Sequence, residues 1–348
     1  MKAAVLESYN APLVVRDVPT PDPSRAGAVI KVAANGICRS DWHAWAEHWP
    51  GFLRLPHILG HEMCGIVEAI GPEVSRFAPG QRVIVPFSGG DGSCARCHGG
   101  LSHLCDNPVM PGFRSWGGFA EYVAVDKADL NLVVLPEEVS FLAGAGMGCR
   151  FMTAFHGLTD RVHLGAGEWI VVYGCGGIGL SVVEIANCLG AQVIAVDIGV
   201  EKLDLARELG AVATINASEV DDPVSAVREL TGGGADVSVD ALGIQQTCEN
   251  AVRSLAKRGR HLQIGMTSGQ AGGQLQVPID DVIGGELEIY GSKGMPAHHF
   301  AGMLRLVAAG RLDPGRLVTR TVALEDAGDV LASMGRFDTL GFTVIDRF

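Results

Sequence analysis

The sequence predicts an α/β protein in which a β-rich domain is interrupted by an inserted, doubly wound domain. Three observations carry this. Residues 1–150 are Val-rich runs punctuated by Gly and Pro, the pattern of short antiparallel strands joined by tight turns. Residues 151–293 alternate strand-like and helix-like segments, which predicts a parallel sheet covered by helices. Residues 294–348 hold one helix-like run and two strand-like runs, and those runs resemble the first region.

The opening "MKAAVLESYNAPLVVRDV" reads as an alternating strand pair rather than a basic-then-apolar leader. "GAVIKVAANGI", "GIVEAIGPEV", "GQRVIVPF" and "GGFAEYVAV" continue the first domain as strands. In the insert, "WIVVYG", "QVIAVD", "DVSVDALG" and "RHLQIGM" read as strands, and "GLSVVEIANCLG", "VEKLDLARELG" and "TCENAVRSLAKRG" as helices. After "ELEIYGSKG", "FAGMLRLVAAG" reads as a helix and the chain closes on strands ending in "FTVIDRF".

At 348 residues the chain is comfortable for two domains. A formal charge of −12 argues against nucleic-acid and anionic-membrane partners, which reward basic surface. The most apolar stretch, "WIVVYGCGGIGLSVVEIA", is broken by glycines and Glu184, so no membrane span is expected. A soluble cytoplasmic protein is the simplest expectation. Nine scattered cysteines are no disulfide scaffold; clustered cysteine in a reducing compartment points to metal.

"IVVYGCGGIG" holds Gly174, Gly176 and Gly179 in G-x-G-x-x-G spacing between a strand and a helix, with Asp197 ending the next strand. That context makes it a dinucleotide loop. Gly174 allows the turn, Gly176 lets backbone approach a pyrophosphate, and Gly179 lets the helix pack on the strand. The helix amino terminus, with Gly177 and Ile178, offers N–H groups to phosphate. Asp197 would accept from the adenosine ribose hydroxyls and repel a 2′-phosphate, and no arginine follows at 198–201, so NAD is favoured over NADP. "DGSCARCHGGLSHLC" places Cys94, Cys97 and Cys105 at metal-ligand spacing, one ligand short of a closed tetrahedral zinc site.

The motifs "GICRSDWH", "PHILGHEMCGIVEAIG", "GQRVIVP", "GGFAEYVAV", "GCRFMTAFHGL", "GCGGIGL" and "AVD" together make the chain resemble the zinc-dependent medium-chain dehydrogenases, the alcohol dehydrogenase group, over essentially its full length. The resemblance implies a GroES-like catalytic domain (1–150, with a structural-zinc lobe at about 88–108), a Rossmann domain (151–293) and a return to the catalytic domain (294–348). It implies a catalytic zinc held by Cys38, His61 and Cys149, with the fourth position open. Glu62 resembles the glutamate that approaches the metal during ligand exchange, and Asp41 the carboxylate that orients the histidine ligand. Ser40 and His43 resemble a relay carrying the substrate proton to solvent. Arg39 would face the pyrophosphate, Lys202 would join the cofactor residues, and Thr153, Ile264, Gly265 and Met266 would frame the nicotinamide.

The family's structural lobe uses four cysteines; aligning the three present with the last three puts Asp91 at the first ligand position. His98, beside Cys97, and His103, without a family counterpart, compete for that place. The resemblance therefore implies NAD and two zincs per chain, one catalytic and one structural. Many relatives carry "GR" in the last strand, with the arginine on the pyrophosphate; here Phe342 stands there, which shifts cofactor binding onto Arg39 and the helix amino terminus. Trp49, Phe87, Met110 and Trp116 are the expected substrate pocket, with Trp42 and Trp45 nearby in sequence; an aromatic lining suits a hydrophobic primary or secondary alcohol. The expected reaction interconverts an alcohol with its aldehyde or ketone. A polyol or formaldehyde-type dehydrogenase and a non-catalytic NAD- and zinc-binding protein are the alternatives. A homo-oligomer is expected, a tetramer ahead of a dimer.

Overall fold

The computed structural model describes residues 1–267 and 272–348. Its contacts divide the chain into two units, Met1–Met152 with Gly294–Phe348, and Thr153–Lys293.

The first unit begins with β1 (Lys2–Leu6), β2 (Val14–Asp17), β3 (Ala28–Ile37), β4 (His57–Ile58), β5 (Glu62–Ile70), β6 (Arg82–Val85), β7 (Tyr122–Val125) and β8 (Val133–Val134). β1 lies between β2 and β4 in a small antiparallel sheet. β3, the longest strand, buries Ala28, Ile30 and Val32 while Lys31 points to water, and packs them with Met63, Val67, Val83, Val85, Val123 and Val125. Each Val, Ile or Met among these stabilises the fold by about 1.5–3 kcal/mol when fully buried. The β3–β5 register opposes Asn35 to Met63 and Gly36 to Glu62. It therefore sets Cys38, just past the end of β3, beside His61, just before β5.

The second unit holds β9 (Trp169–Tyr173), β10 (Gln192–Asp197), β11 (Ala213–Asn216), β12 (Ala235–Asp240), β13 (Leu255–Gln263) and β14 (Glu288–Gly291). They form one parallel sheet in the order β11-β10-β9-β12-β13-β14. The strand order reverses between β9 and β12, and the crevice at such a reversal is where open α/β sheets bind ligands. Val171, Tyr173, Ile194 and Val196 pack with Val227 and Ala251 on one face.

β15 (Val318–Ala323) and β16 (Phe342–Arg347) return to the first unit, where β16 pairs antiparallel to β3 and parallel to β15. A parallel pair needs a crossover, and the helix Ala327–Ser333 supplies it. That helix, Pro223–Thr231 and Ile279–Gly285 depart from the expected elements. Pro223–Thr231 carried a readable signal: Asp222 caps it by accepting from Val224 N, and Pro223 occupies the first turn. The helix expected across "TCENAVRSLAKRG" stops at Arg253, and β13 begins at Leu255. Between them the buried Ser254 hydroxyl donates to Asn250 O and meets Tyr173 Oη at 2.7 Å.

Candidate active site and metal centres

Cys38 sits at the start of the helix Arg39–Trp45 in extended conformation, and its N–H donates to Asp41 Oδ2 at 2.9 Å. The other oxygen of Asp41 accepts from Gly60 N at 3.1 Å and lies 2.8 Å from His61 Nδ1. A carboxylate only accepts, so Nδ1 carries a proton, and in the neutral ring it is Nε2 that keeps a lone pair. That Nε2 is buried and has no hydrogen-bond partner, a state that costs about 1–3 kcal/mol unless something else binds it. Cys149 approaches from a widened helical turn, Met147–Phe151, that follows the helix Phe141–Gly146. Ligand atoms of Cys38, His61, Glu62 and Cys149 all lie within 4.8 Å of one another, and all four residues are buried. Two thiols and an unpartnered imidazole nitrogen form a donor set suited to zinc.

The Glu62 carboxylate is held by Arg150: Nε donates to Oε1 at 2.8 Å and Nη2 to Oε2, both side chains being buried. The guanidinium lies 3.8 Å from the centroid of the Phe342 ring. Phe342 is fully buried, and a Cβ on Gly146 would strike its ring. Phe342 is thus core beneath an ion pair. Burial pushes the Glu62 carboxyl up to about 7 against the opposing pull of Arg150.

His43 is buried, stacks on Trp49 at 5.3 Å and lies edge-on to Trp42. Ser40 Oγ is 3.9 Å from Cys38 Sγ. Arg39 stacks on Phe337 and Trp42 and donates Nη2 to Met334 O, while its Nη1 is buried without a partner, a donor that an anion would satisfy. Phe87 and Phe113 approach the His61 ring, at 5.8 and 4.5 Å between centroids, and Trp49 joins Phe113 at 6.5 Å. Met110 is buried. Trp116 is 40% exposed and outside this stack of rings. Trp45 anchors its ring on Ala11 O, and Trp42 packs on His48 and Phe337, so both serve the fold.

In the lobe, Cys94 Sγ lies 3.7 Å from both Cys97 Sγ and Cys105 Sγ. Bonds of about 2.3 Å in a tetrahedron leave thiolates about 3.8 Å apart, so the three sulfurs already span a zinc-sized cage. Asp91 Oδ1 is 3.3 Å from Cys105 Sγ, and its carboxylate also accepts from Ser93 N, Ser93 Oγ and Asn107 Nδ2. The Ser93 and Asn107 hydrogen bonds hold the Asp91 carboxyl below the usual carboxylate range, so it stays an anion. It is not gathered within 4.8 Å of all three sulfurs. His98 is exposed on the short helix Ala95–His98, and His103 is buried.

In the second unit, Gly174 has φ +92°, a Cβ on Gly179 would strike the Gly174 carbonyl, and a Cβ on Gly176 would enter open space. The loop leads into the helix Gly177–Cys188, whose Ile178 lies in the first turn. Backbone there can approach a pyrophosphate. Asp197 ties this loop to the next, accepting from Cys175 N at 2.6 Å and from Ile198 N and Gly199 N, with Lys202 Nζ at 3.9 Å. Thr153 O accepts from Ser292 Oγ. Ile264 is buried, Met266 is exposed, and Gly265 presses so closely on Gly243 that no side chain fits.

Comparison with known proteins gives the site its context. The family profile "Alcohol dehydrogenase GroES-like domain" matches residues 24–137, and "Zinc-binding dehydrogenase" matches 177–309. An alcohol dehydrogenase of Geobacillus stearothermophilus is 33% identical over 96% of each chain. An NAD-dependent alcohol dehydrogenase of Sulfurisphaera tokodaii is 32% identical over 99% of each. A D-arabinose 1-dehydrogenase (NADP(+)) of Saccharolobus solfataricus is 32% identical over 90% of this chain and 89% of its own. The alcohol dehydrogenase TADH from Thermus sp. ATN1 superposes with a TM-score of 0.90 at 29% identity over the whole of both chains. The chain belongs to the zinc-dependent medium-chain dehydrogenase family. Within that family site, three side chains escape sequence reasoning. Arg150 left a faint signal, a charge inside the apolar run that carries Cys149. Phe113 and His48 left none, because nothing in their spacing ties them to His61 or His43.

Proposed function

We propose that this chain is an NAD-dependent zinc alcohol dehydrogenase, interconverting hydrophobic primary or secondary alcohols with aldehydes or ketones. The observation that carries the reading is the buried, unpartnered His61 Nε2 facing two buried thiols. Zinc would supply Lewis acidity toward the alcohol oxygen, and NAD the hydride acceptor.

The chain's own residues do the rest. Cys38, His61 and Cys149 hold the metal, and Asp41 fixes His61 in the coordinating tautomer. Arg150 holds the Glu62 carboxylate within the cluster, from where it can approach the metal during ligand exchange. Ser40 takes the hydroxyl proton and His43 conducts it away. The Gly174–Gly179 loop offers its N–H groups to the pyrophosphate and Arg39, in its own unit, offers a donor suited to the same anion; Asp197 with Lys202 takes the adenosine ribose, and Thr153, Ile264, Gly265 and Met266 frame the nicotinamide. Phe87, Phe113, Trp49 and Met110 give the substrate apolar walls and exclude water.

A sugar or polyol substrate is the second reading, favoured by the D-arabinose relative. A panel of aromatic and aliphatic alcohols, sugars and polyols, each offered with NAD and with NADP, decides by absorbance of the reduced cofactor. Turnover of sugars alone, or with NADP alone, overturns the first reading.

The reading includes a second zinc on Asp91, Cys94, Cys97 and Cys105. Asp91→Ala should lower zinc content from two per chain towards one and reduce thermal stability, whereas Asp91→Cys should keep two. One zinc per chain in metal-replete wild type would show the lobe to be metal-free.

The net charge of −12 speaks against nucleic-acid and membrane partners. Among the described residues no helix is long and apolar enough to cross a membrane. The nine cysteines are thiols rather than disulfides, which suits the cytoplasm. A homo-oligomer, a tetramer before a dimer, would cover the exposed Ile289 on the edge strand β14 and the exposed Ile279 and Ile283 on the helix Ile279–Gly285.

A further inference from the structure

The helix Arg39–Trp45 ends in a turn whose geometry the alcohol dehydrogenase reading does not use. Glu47 adopts φ +55°, a left-handed conformation uncommon for a residue with a side chain. The turn carries the chain back, so that His48 N donates to His43 O at 3.0 Å. The two rings then meet, Nδ1 to Nδ1, at 2.9 Å.

A nitrogen pair at that distance needs one proton between the two atoms, so the partners cannot both donate or both accept. Burial, then the neighbouring His48 and Arg39, push His43 down to about 4. His43 is therefore neutral in ordinary solution, and what matters is which of its nitrogens carries the hydrogen. His48 is half-buried, in reach of water.

We propose that His48 is a positioning residue that decides which nitrogen of His43 can take the substrate proton. Neutral His48 accepts the His43 Nδ1–H, which leaves His43 Nε2 as a free lone pair. Protonated His48 has only N–H groups and must donate to His43 Nδ1; His43 then carries its hydrogen on Nε2 and cannot accept there. Acid closes the relay through the second histidine rather than by charging the first. No atom is gained or lost in the switch beyond the proton that His48 exchanges with solvent.

The other charged or titratable groups around the pair do not offer an alternative partner for His43 Nδ1. Arg39 gives Nη2 to Met334 O, stacks on the Phe337 and Trp42 rings and can only donate, and the Cys38 thiol belongs to the metal cluster. Glu47 acts on Tyr9, Arg114 lies over Phe52, Arg336 pairs with Asp338, and Asp329 is exposed.

The inference rests on His43 serving alcohol oxidation, and two measurements separate the failures. The first is nitrogen NMR of zinc-loaded enzyme labelled at histidine, with His43→Gln identifying the His43 signals. In wild type, His43 should change from the Nδ1–H to the Nε2–H form as the solution is acidified. In His48→Gln, whose amide oxygen accepts at every pH, it should stay Nδ1–H. The second is the pH profile of turnover: the ratio of kcat at about pH 6 to that at about pH 9 should rise about threefold or more in His48→Gln, with KM for the alcohol unaffected. A His43 tautomer indifferent to pH, or a His48→Gln profile superimposable on wild type, overturns the proposal. A tautomer switch in a protein that oxidises no alcohol instead overturns the activity on which it rests.

Discussion

Cys38→Ser should cost at least about 10³-fold in alcohol oxidation, on the order of 4 kcal/mol in the barrier, while the fold and NAD binding stay close to wild type. Cys38, His61 and Cys149 bring one donor atom each into a buried cluster. A serine hydroxyl keeps its proton near neutrality and is a harder, weaker ligand than thiolate, so the substitution leaves one thiolate and one imidazole where three strong donors are needed. Its effect on the fold should be small, because Asp41 is anchored by the Cys38 backbone N–H rather than by the thiol. Zinc per chain, NAD affinity by fluorescence titration and turnover should be measured on one preparation. Turnover within tenfold of wild type would remove Cys38 from the centre.

Arg150→Leu should destabilise the zinc-loaded enzyme by about 3–5 kcal/mol, the range for removing one partner of a buried ion pair. Glu62 is fully buried, and Arg150 supplies both the charge and the hydrogen bonds that hold it. Leucine also removes the cation from the face of Phe342. Restoring neutrality should recover much of the loss, so Arg150→Leu with Glu62→Gln should be more stable than Arg150→Leu alone. Thermal denaturation of the three variants and wild type gives the cycle. A single variant within about 1 kcal/mol of wild type would mean that the pair is nearly neutral in energy and serves geometry instead.

The fold class was legible because its signals are local: strand-sized apolar runs, helical periodicity, and a glycine loop set between strand and helix. The loop's glycines show why, since Gly174 needs a positive φ and Gly179 close packing, demands that only glycine meets. The metal cluster was legible only through family motifs, since residues 38, 61 and 149 meet by strand register and a helical turn that no spacing encodes. Arg150 was hidden for the same reason: its partner lies 88 residues away on β5. Phe342 read as a cofactor arginine gone missing, yet its place in the core follows from packing against Gly146 and Arg150. The helix Ala327–Ser333 was too short for its periodicity to declare it.

The pairing of β16 with β3 has a consequence for how the protein is made. Thr343 lies opposite Ile37, so roughly 300 residues of synthesis separate the two halves of one ladder. At about 5–20 residues per second, β3 leaves the ribosome some tens of seconds before its β16 partner exists. For the later part of that interval Cys38, His61 and Cys149 are all in the nascent chain, while the sheet that positions them lacks a strand. A chaperone that shields the open β3 edge, or a pause in translation that prolongs the wait, should therefore change how much newly made protein acquires metal without altering any residue of the mature chain.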